Sequence, residues 1–167
     1  MLRCAARNAG DRVLTVALLG ALLGLAAGCS SNHAIQEMNQ REYAPYRSPG
    51  SSVIVGQVTM TRKTGEVLDG AACQVRLAPV TTESTEYIQD VVMPGGTKPW
   101  KDDADAVWWL AQADEEGRFR FAEVPSGHYY LTCPVAWRNT AGEVRQKILW
   151  GETTVGPNET ATVSVSR

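Results

Sequence analysis

A chain of 167 residues with 16 Lys and Arg against 18 Asp and Glu carries a formal charge of −2. No run of Lys or Arg gathers in it, which removes the electrostatic footprint of a nucleic-acid binder. The length suits one domain with a real core rather than several domains.

Residues 1–28 read as a targeting segment, not as part of a fold. Arg3, Arg7 and Arg12 make a basic flank, and Val13 to Ala27 is an uncharged apolar run. At about fifteen residues this run is short of the roughly twenty that a membrane-spanning helix needs. The run ends in Leu25-Ala26-Ala27-Gly28-Cys29. That ending resembles the bacterial lipobox, where a lipoprotein signal peptidase cuts before a cysteine that has received a diacylglycerol. Ala27 and Gly28 match its small residues, while Ala26 stands where leucine is usual. The resemblance implies a lipoprotein with Cys29 as its lipidation site, carrying palmitate-type chains whose buried methylenes contribute about 0.8 kcal/mol each. The competing reading is a plain secretory signal or short anchor helix with Cys29 incidental. Ser30 replaces the aspartate that marks inner-membrane retention, so the expected address is the outer membrane, facing the periplasm. The remaining 139 residues hold 13 basic and 17 acidic side chains, a net charge of −4.

From Cys29 to residue 51 the chain is polar, aperiodic and interrupted by proline and glycine, which reads as a flexible tether. Ala34 to Glu42 has the composition of a short helix, marginal on its own. Tyr43, Tyr46 and Arg47 are either incidental to the tether or docked on the domain; the first is the simpler expectation.

Residues 52–167 read as one β domain. Ser52 to Met60 is rich in β-branched residues and contains Gly56, which suits a strand with a bulge or a close neighbour. Thr61 to Gly70 reads as a hairpin-like connection. Ala71 to Leu77 alternates, with Cys73, Val75 and Leu77 on one face and Gln74 and Arg76 on the other. Glu86 to Met93 is expected as a further strand, and Pro94 to Ala106 as a long irregular insertion. Val107 to Ala113 returns to strand composition. Asp114-Glu115-Glu116-Gly117 is a turn, and Arg118-Phe119-Arg120-Phe121 puts both rings on one side. After Val124-Pro125-Ser126-Gly127, the residues Tyr129, Leu131, Cys133 and Val135 share one face, and His128, Tyr130 and Thr132 the other. Val144 to Val155 reads as a strand broken near Gly151, and Glu159 to Ser166 alternates again. No stretch has the length and period of an amphipathic helix. Seven or eight short strands separated by turns predict an all-β, antiparallel β-sandwich.

Gly56-Gln57-Val58, Gly65 and Gly70-Ala71-Ala72-Cys73-Gln74-Val75-Arg76-Leu77 resemble the opening of carboxypeptidase regulatory-like domains. Asp114 to Phe121 and Val124 to Tyr129 look like the same family's "D-x-x-G-x-F-x-F" and "V-P-x-G-x-Y" signatures. The resemblance covers Val53 to Trp137 and implies a transthyretin-like, or prealbumin-like, sandwich without catalytic activity. Thr81 to Asp105 departs from the compact family pattern, so any property particular to this chain is expected there.

Chemistry is sparse. Cys73 and Cys133 occupy inward positions, and an oxidising compartment favours a disulfide between them. Closing about sixty residues would contribute roughly 3–4 kcal/mol; the alternative is two buried thiols. Only His33 and His128 could offer imidazole, and neither the Asp114-Glu115-Glu116 turn nor Asp102, Asp103 and Asp105 has the spacing of a calcium loop, so no metal and no cofactor are expected. Hydrolase motifs are missing, and the chain is expected to be non-enzymatic.

The aromatic residues carry the remaining signal. Trp108 and Trp109 are adjacent and must face opposite ways on a regular strand. Trp100, Trp108, Trp109 and Tyr130 are therefore the candidate binding surface, unless the insertion folds over the outward indole as a second small core. The leading functional reading is a membrane-anchored interaction or assembly module that docks another envelope protein. The alternatives are a carbohydrate- or peptidoglycan-binding module using Trp as a stacking platform, and a structural spacer.

Overall fold

Strict alternation along most of the strands leaves each of them with one apolar face, and two such sheets can hide those faces only against each other. The computed structural model describes residues 34–62, 65–100 and 106–166, and the chain divides into two compact units, Met1–Met38 and Asn39–Arg167. Of the first unit only residues 34–38, which are helical, are described. The apolar run, Cys29 and His33 lie outside the described residues, as do Asp102, Asp103 and Asp105.

Helix α1 covers residues 34–43, and a 3-10 turn follows at Ala44–Tyr46. The strands are β1 (Ser52–Thr61), β2 (Val67–Asp69), β3 (Gln74–Pro79), β4 (Trp109–Gln112), β5 (Arg118–Val124), β6 (Gly127–Arg138), β7 (Val144–Val155) and β8 (Thr160–Val165). One sheet runs β2-β1-β5 with β8 also on β1; the other runs β4-β3-β6-β7. The eight strands thus make the expected sandwich. Every pair is antiparallel except β1 with β8, which is parallel from Val53↔Thr160 to Val58↔Val165.

The core between the sheets collects the inward residues of both, among them Ile54, Val75, Leu77, Phe119, Leu131 and Leu149. Full burial of such a side chain contributes about 1.5–3 kcal/mol. Cys73 and Cys133 form a disulfide inside this core, with Cα atoms 6.2 Å apart at a sequence separation of 60. Tyr129 is also buried, and its hydroxyl avoids an unpaired state by donating to the Pro125 carbonyl at 2.6 Å. Burial pushes that hydroxyl above its ordinary pKa.

The turn into β5 is built as the residues require. Gly117 takes a left-handed φ of 76° and donates its N–H to the Asp114 carbonyl. One Asp114 carboxylate oxygen accepts from the Glu116 and Arg118 amides, and the other accepts from Arg118 Nε at 2.9 Å. The Arg118 amide, foremost, holds the Asp114 carboxyl below its ordinary value.

Three expectations change. Glu86 to Met93 is not a strand: Thr82–Tyr87 is a helix, α2, continued by a π turn over Ile88–Val92. Thr81 caps α2, its hydroxyl accepting from the Ser84 amide while the Ser84 hydroxyl accepts from the Thr81 amide. Ile88 and Val92, four apart, then face one way as a helical turn demands. Second, β7 is continuous through Gly151, where a side chain would meet the Ser164 carbonyl of β8 at 2.6 Å. Glycine there permits close crossing instead of ending the strand. Third, the tether's aromatics are not incidental. Tyr43 is only 1% exposed, and Tyr46 packs edge-on against Tyr129 with ring centroids 5.6 Å apart. Gly50 N–H donates to the Glu123 carbonyl, so residues 39–50 lie on the sandwich.

Candidate functional site

The side chains of β4, β3, β6 and β7 that point away from the core give that sheet a second, mixed face. Strand register sets Leu110, Arg76, Thr132 and Trp150 in one row across the four strands. Pro134 is opposite Ile148 in the next row, and Ala136 opposite Gln146 in the one after.

The segment between β3 and β4 covers part of this face. Ile88 and Val92 of the π turn are buried against Ile148 and Trp150, with Tyr87 and Tyr130 packed around them. After the turn at 93–95 the chain comes back and lays Trp100 against Tyr87, with ring centroids 4.6 Å apart. The Tyr87 hydroxyl donates to the Lys98 carbonyl at 3.1 Å, tying the helical turn to the returning chain. Burial raises the Tyr87 hydroxyl above its ordinary pKa, and the positive charge of Arg76 draws it partly back.

Between this aromatic wall and the strands a cleft of about 350 Å³ stays open, with Gln74, Arg76, Thr132 and Gln146 on its floor and Tyr87 and Trp100 on its side. The Arg76 guanidinium lies 4.5 Å from the centre of the Trp108 ring, a cation–π contact. Trp100 and Tyr87 also line a smaller cleft of about 210 Å³ on the α2 side, where the other walls carry Glu83, Glu86 and Asp90.

The candidate surface residues separate accordingly. Trp100 is half-buried at the rim of the larger of these two clefts, and Trp108 stands beside it under Arg76. Trp109 leaves the candidate surface. It pairs with Leu77, packs against the core and meets Tyr129 edge-on at 6.0 Å, because alternation turns it inward. Tyr130 faces outward as expected but belongs to the cluster under the π turn, 6.3 Å from Trp150. A second core does form, but it is built by Ile88 and Val92, ahead of the expected insertion, and it buries Trp150 rather than the outward indole of the Trp108–Trp109 pair, while Trp100 stands at an opening. Gln74, Arg76 and Thr132 were legible only as outward residues. Tyr87 was hidden by the strand expected there; the Thr81–Ser84 capping pair was the signal that could have revealed it.

Chemically, the cleft offers an indole face, two carboxamides that each donate and accept, a hydroxyl and a guanidinium. Such a set holds and orients a ligand that has both an apolar face and a rim of hydroxyl groups. Among the described residues, no group of three or more His, Cys, Asp or Glu is arranged to hold a metal ion.

No protein-family profile and no curated protein matches the sequence. Solved structures do match. A Pseudomonas aeruginosa protein, provisionally named a carbohydrate binding protein, is similar with a TM-score of 0.66 and 23% identity, over 77% of this chain and 96% of that one. A DUF3823 family protein from Parabacteroides merdae matches with a TM-score of 0.34 and 19% identity, over 71% of this chain and 46% of that one. The first likeness establishes the shared β-sandwich fold.

Proposed function

We propose that this protein is a non-enzymatic glycan-binding β-sandwich, held at the bacterial outer membrane through lipidated Cys29 and facing the periplasm. The observation that carries the binding reading is the open cleft itself, with Trp100 braced by Tyr87 on its side and Gln74, Thr132 and Gln146 on its floor. An indole held in place by a second ring is pre-organised, so little conformational freedom is lost when a sugar ring stacks on it. The carboxamides and the hydroxyl then read the hydroxyl groups at the sugar's edge. The provisional name of the Pseudomonas aeruginosa protein lies in the same functional class and supports this reading. Kinship with carboxypeptidase regulatory-like domains, read from the turn and strand signatures, is part of the same proposal.

Docking of an envelope protein is the second reading. Leu110, a large apolar side chain 42% exposed on the cleft floor, favours it.

The test is a calorimetric and fluorescence titration of the protein with β-1,4-linked tetrasaccharides of glucose and of N-acetylglucosamine, and with soluble peptidoglycan fragments. At least one should bind saturably, and Trp100→Ala should weaken it by about tenfold, the equivalent of about 1.4 kcal/mol. Absence of saturable binding across the set, together with a single protein crosslinked from positions around the cleft, would replace the glycan reading with the docking one.

A further inference from the structure

The segment that leads into the sandwich does more than connect. Its last helical residues reach the start of α2, forty residues later in the chain. One Glu42 carboxylate oxygen accepts from the Thr82 amide and the other from the Thr82 hydroxyl, each at 2.7 Å. The neighbouring Tyr43 is buried, its hydroxyl donating to Glu83 at 3.1 Å and lying 3.3 Å from the Thr81 hydroxyl. Tyr46 continues the contact at the β5–β6 turn, where it closes over Gly127 and Tyr129.

What these contacts hold is the support of the aromatic wall. α2 has six residues, too few to persist without help at its ends. Its first turn carries the orphan N–H groups that a cap must satisfy, and Glu42 supplies one acceptor from outside the helix. Glu83, the partner of Tyr43, is four residues before Tyr87 and so lies on the same helical face one turn below it. Tyr87 is in turn the ring on which Trp100 rests. Two contacts and one helical turn therefore separate Tyr43 from the indole at the cleft.

We infer that Glu42 and Tyr43 are positioning residues for the Trp100 cleft, so that docking of residues 42–47 on α2 and the β5–β6 turn regulates ligand binding there. Docked, the segment fixes α2 and keeps Tyr87 and Trp100 stacked. Undocked, the first turn of α2 frays and the wall loosens. Ligand affinity thereby depends on the state of the chain that enters the domain, and ligand binding favours the docked segment to the same extent. The inference rests on the reading of the cleft as a glycan site, but the mechanical link can be measured without any ligand.

The experiment compares the full chain with Glu42→Gln/Tyr43→Phe, and separately with Gly127→Ala, whose added Cβ would press on the Tyr46 ring at 2.6 Å, its three nearest atoms all belonging to that side chain. Amide hydrogen exchange over residues 82–92 and acrylamide quenching of tryptophan report the wall; titration with the N-acetylglucosamine tetrasaccharide reports the site. Both variants should exchange faster over 82–92 and quench more strongly, with the Leu77 and Leu131 amides in mid-sheet unchanged, and should bind the tetrasaccharide about threefold or more weakly. Unchanged exchange and quenching in both variants would overturn the inference. So would faster exchange with tetrasaccharide affinity kept, since it would make the contact merely structural. If the wild-type chain binds no sugar at all, the glycan reading fails, while exchange and quenching still decide whether the segment sets the wall.

Discussion

The two faces of the β4-β3-β6-β7 sheet are made by the same four strands, and they are finished by different means. The inner face closes on the other sheet through Val75, Leu77, Leu131 and Leu149, with the Cys73–Cys133 bridge among them. Among the described residues the outer face has no sheet to meet. It is finished piecemeal, by a short capped helix and π turn over Trp150 and Ile148, and it stays open beside Trp100. A face shut by long-range sheet packing is available for stability alone. A face covered by a local insertion can leave part of itself for a ligand.

That contrast orders the expected effects of substitution. On the inner face, Cys73→Ala/Cys133→Ala releases a sixty-residue loop in the unfolded chain and should lower unfolding free energy by about 4 kcal/mol in urea denaturation. A loss below about 1 kcal/mol would mean that packing alone holds the inner face. On the covered part of the outer face, Trp150→Ala removes the largest ring of the second cluster and should cost about 3 kcal/mol. Circular dichroism and exchange over 82–92 would show whether α2 is lost with it. At the open part, Trp100→Ala should cost less than about 1 kcal/mol of stability while weakening sugar binding about tenfold; a stability loss as large as that of Trp150→Ala would place Trp100 in the covered core and break the contrast.

The smallest effect belongs to neither face. Asp114, in the exposed turn before β5, is held below the ordinary carboxyl value of 3.8 chiefly by the Arg118 amide. Its contribution is therefore complete above that value and disappears as pH falls through the lower folded value. Asp114→Asn should narrow its difference from the wild type between pH 5 and pH 2 in thermal melts. A difference that grows on acidification would contradict the assigned hydrogen bonds.

The inner face was the legible one. Alternation in Arg118-Phe119-Arg120-Phe121 and from Tyr129 to Val135 states which side is buried, and the period of two tolerates no other assignment. The same alternation put Gln74, Arg76 and Thr132 outside but could not say what they meet, since their neighbours come from a segment without strand period. Tyr87, Ile88, Val91 and Val92 fit a strand by composition and a helix by spacing; the Thr81–Ser84 cap decided for the helix. The docking of Tyr43 and Tyr46 was invisible for a different reason. Their partners Glu83 and Gly127 are forty and eighty-one residues away, and nothing local in a polar, proline-containing stretch announces them.

Whether the open part of the outer face binds sugar is decided by chemical-shift mapping of the full chain with the N-acetylglucosamine tetrasaccharide and its glucose counterpart. Perturbations should group at Gln74, Arg76, Thr132, Gln146 and the Trp100 indole, with the Phe119 and Leu131 side of the sandwich silent. Perturbations grouped at the Asn139–Glu143 turn or along β2, or no saturable shift with either sugar, would contradict sugar binding there.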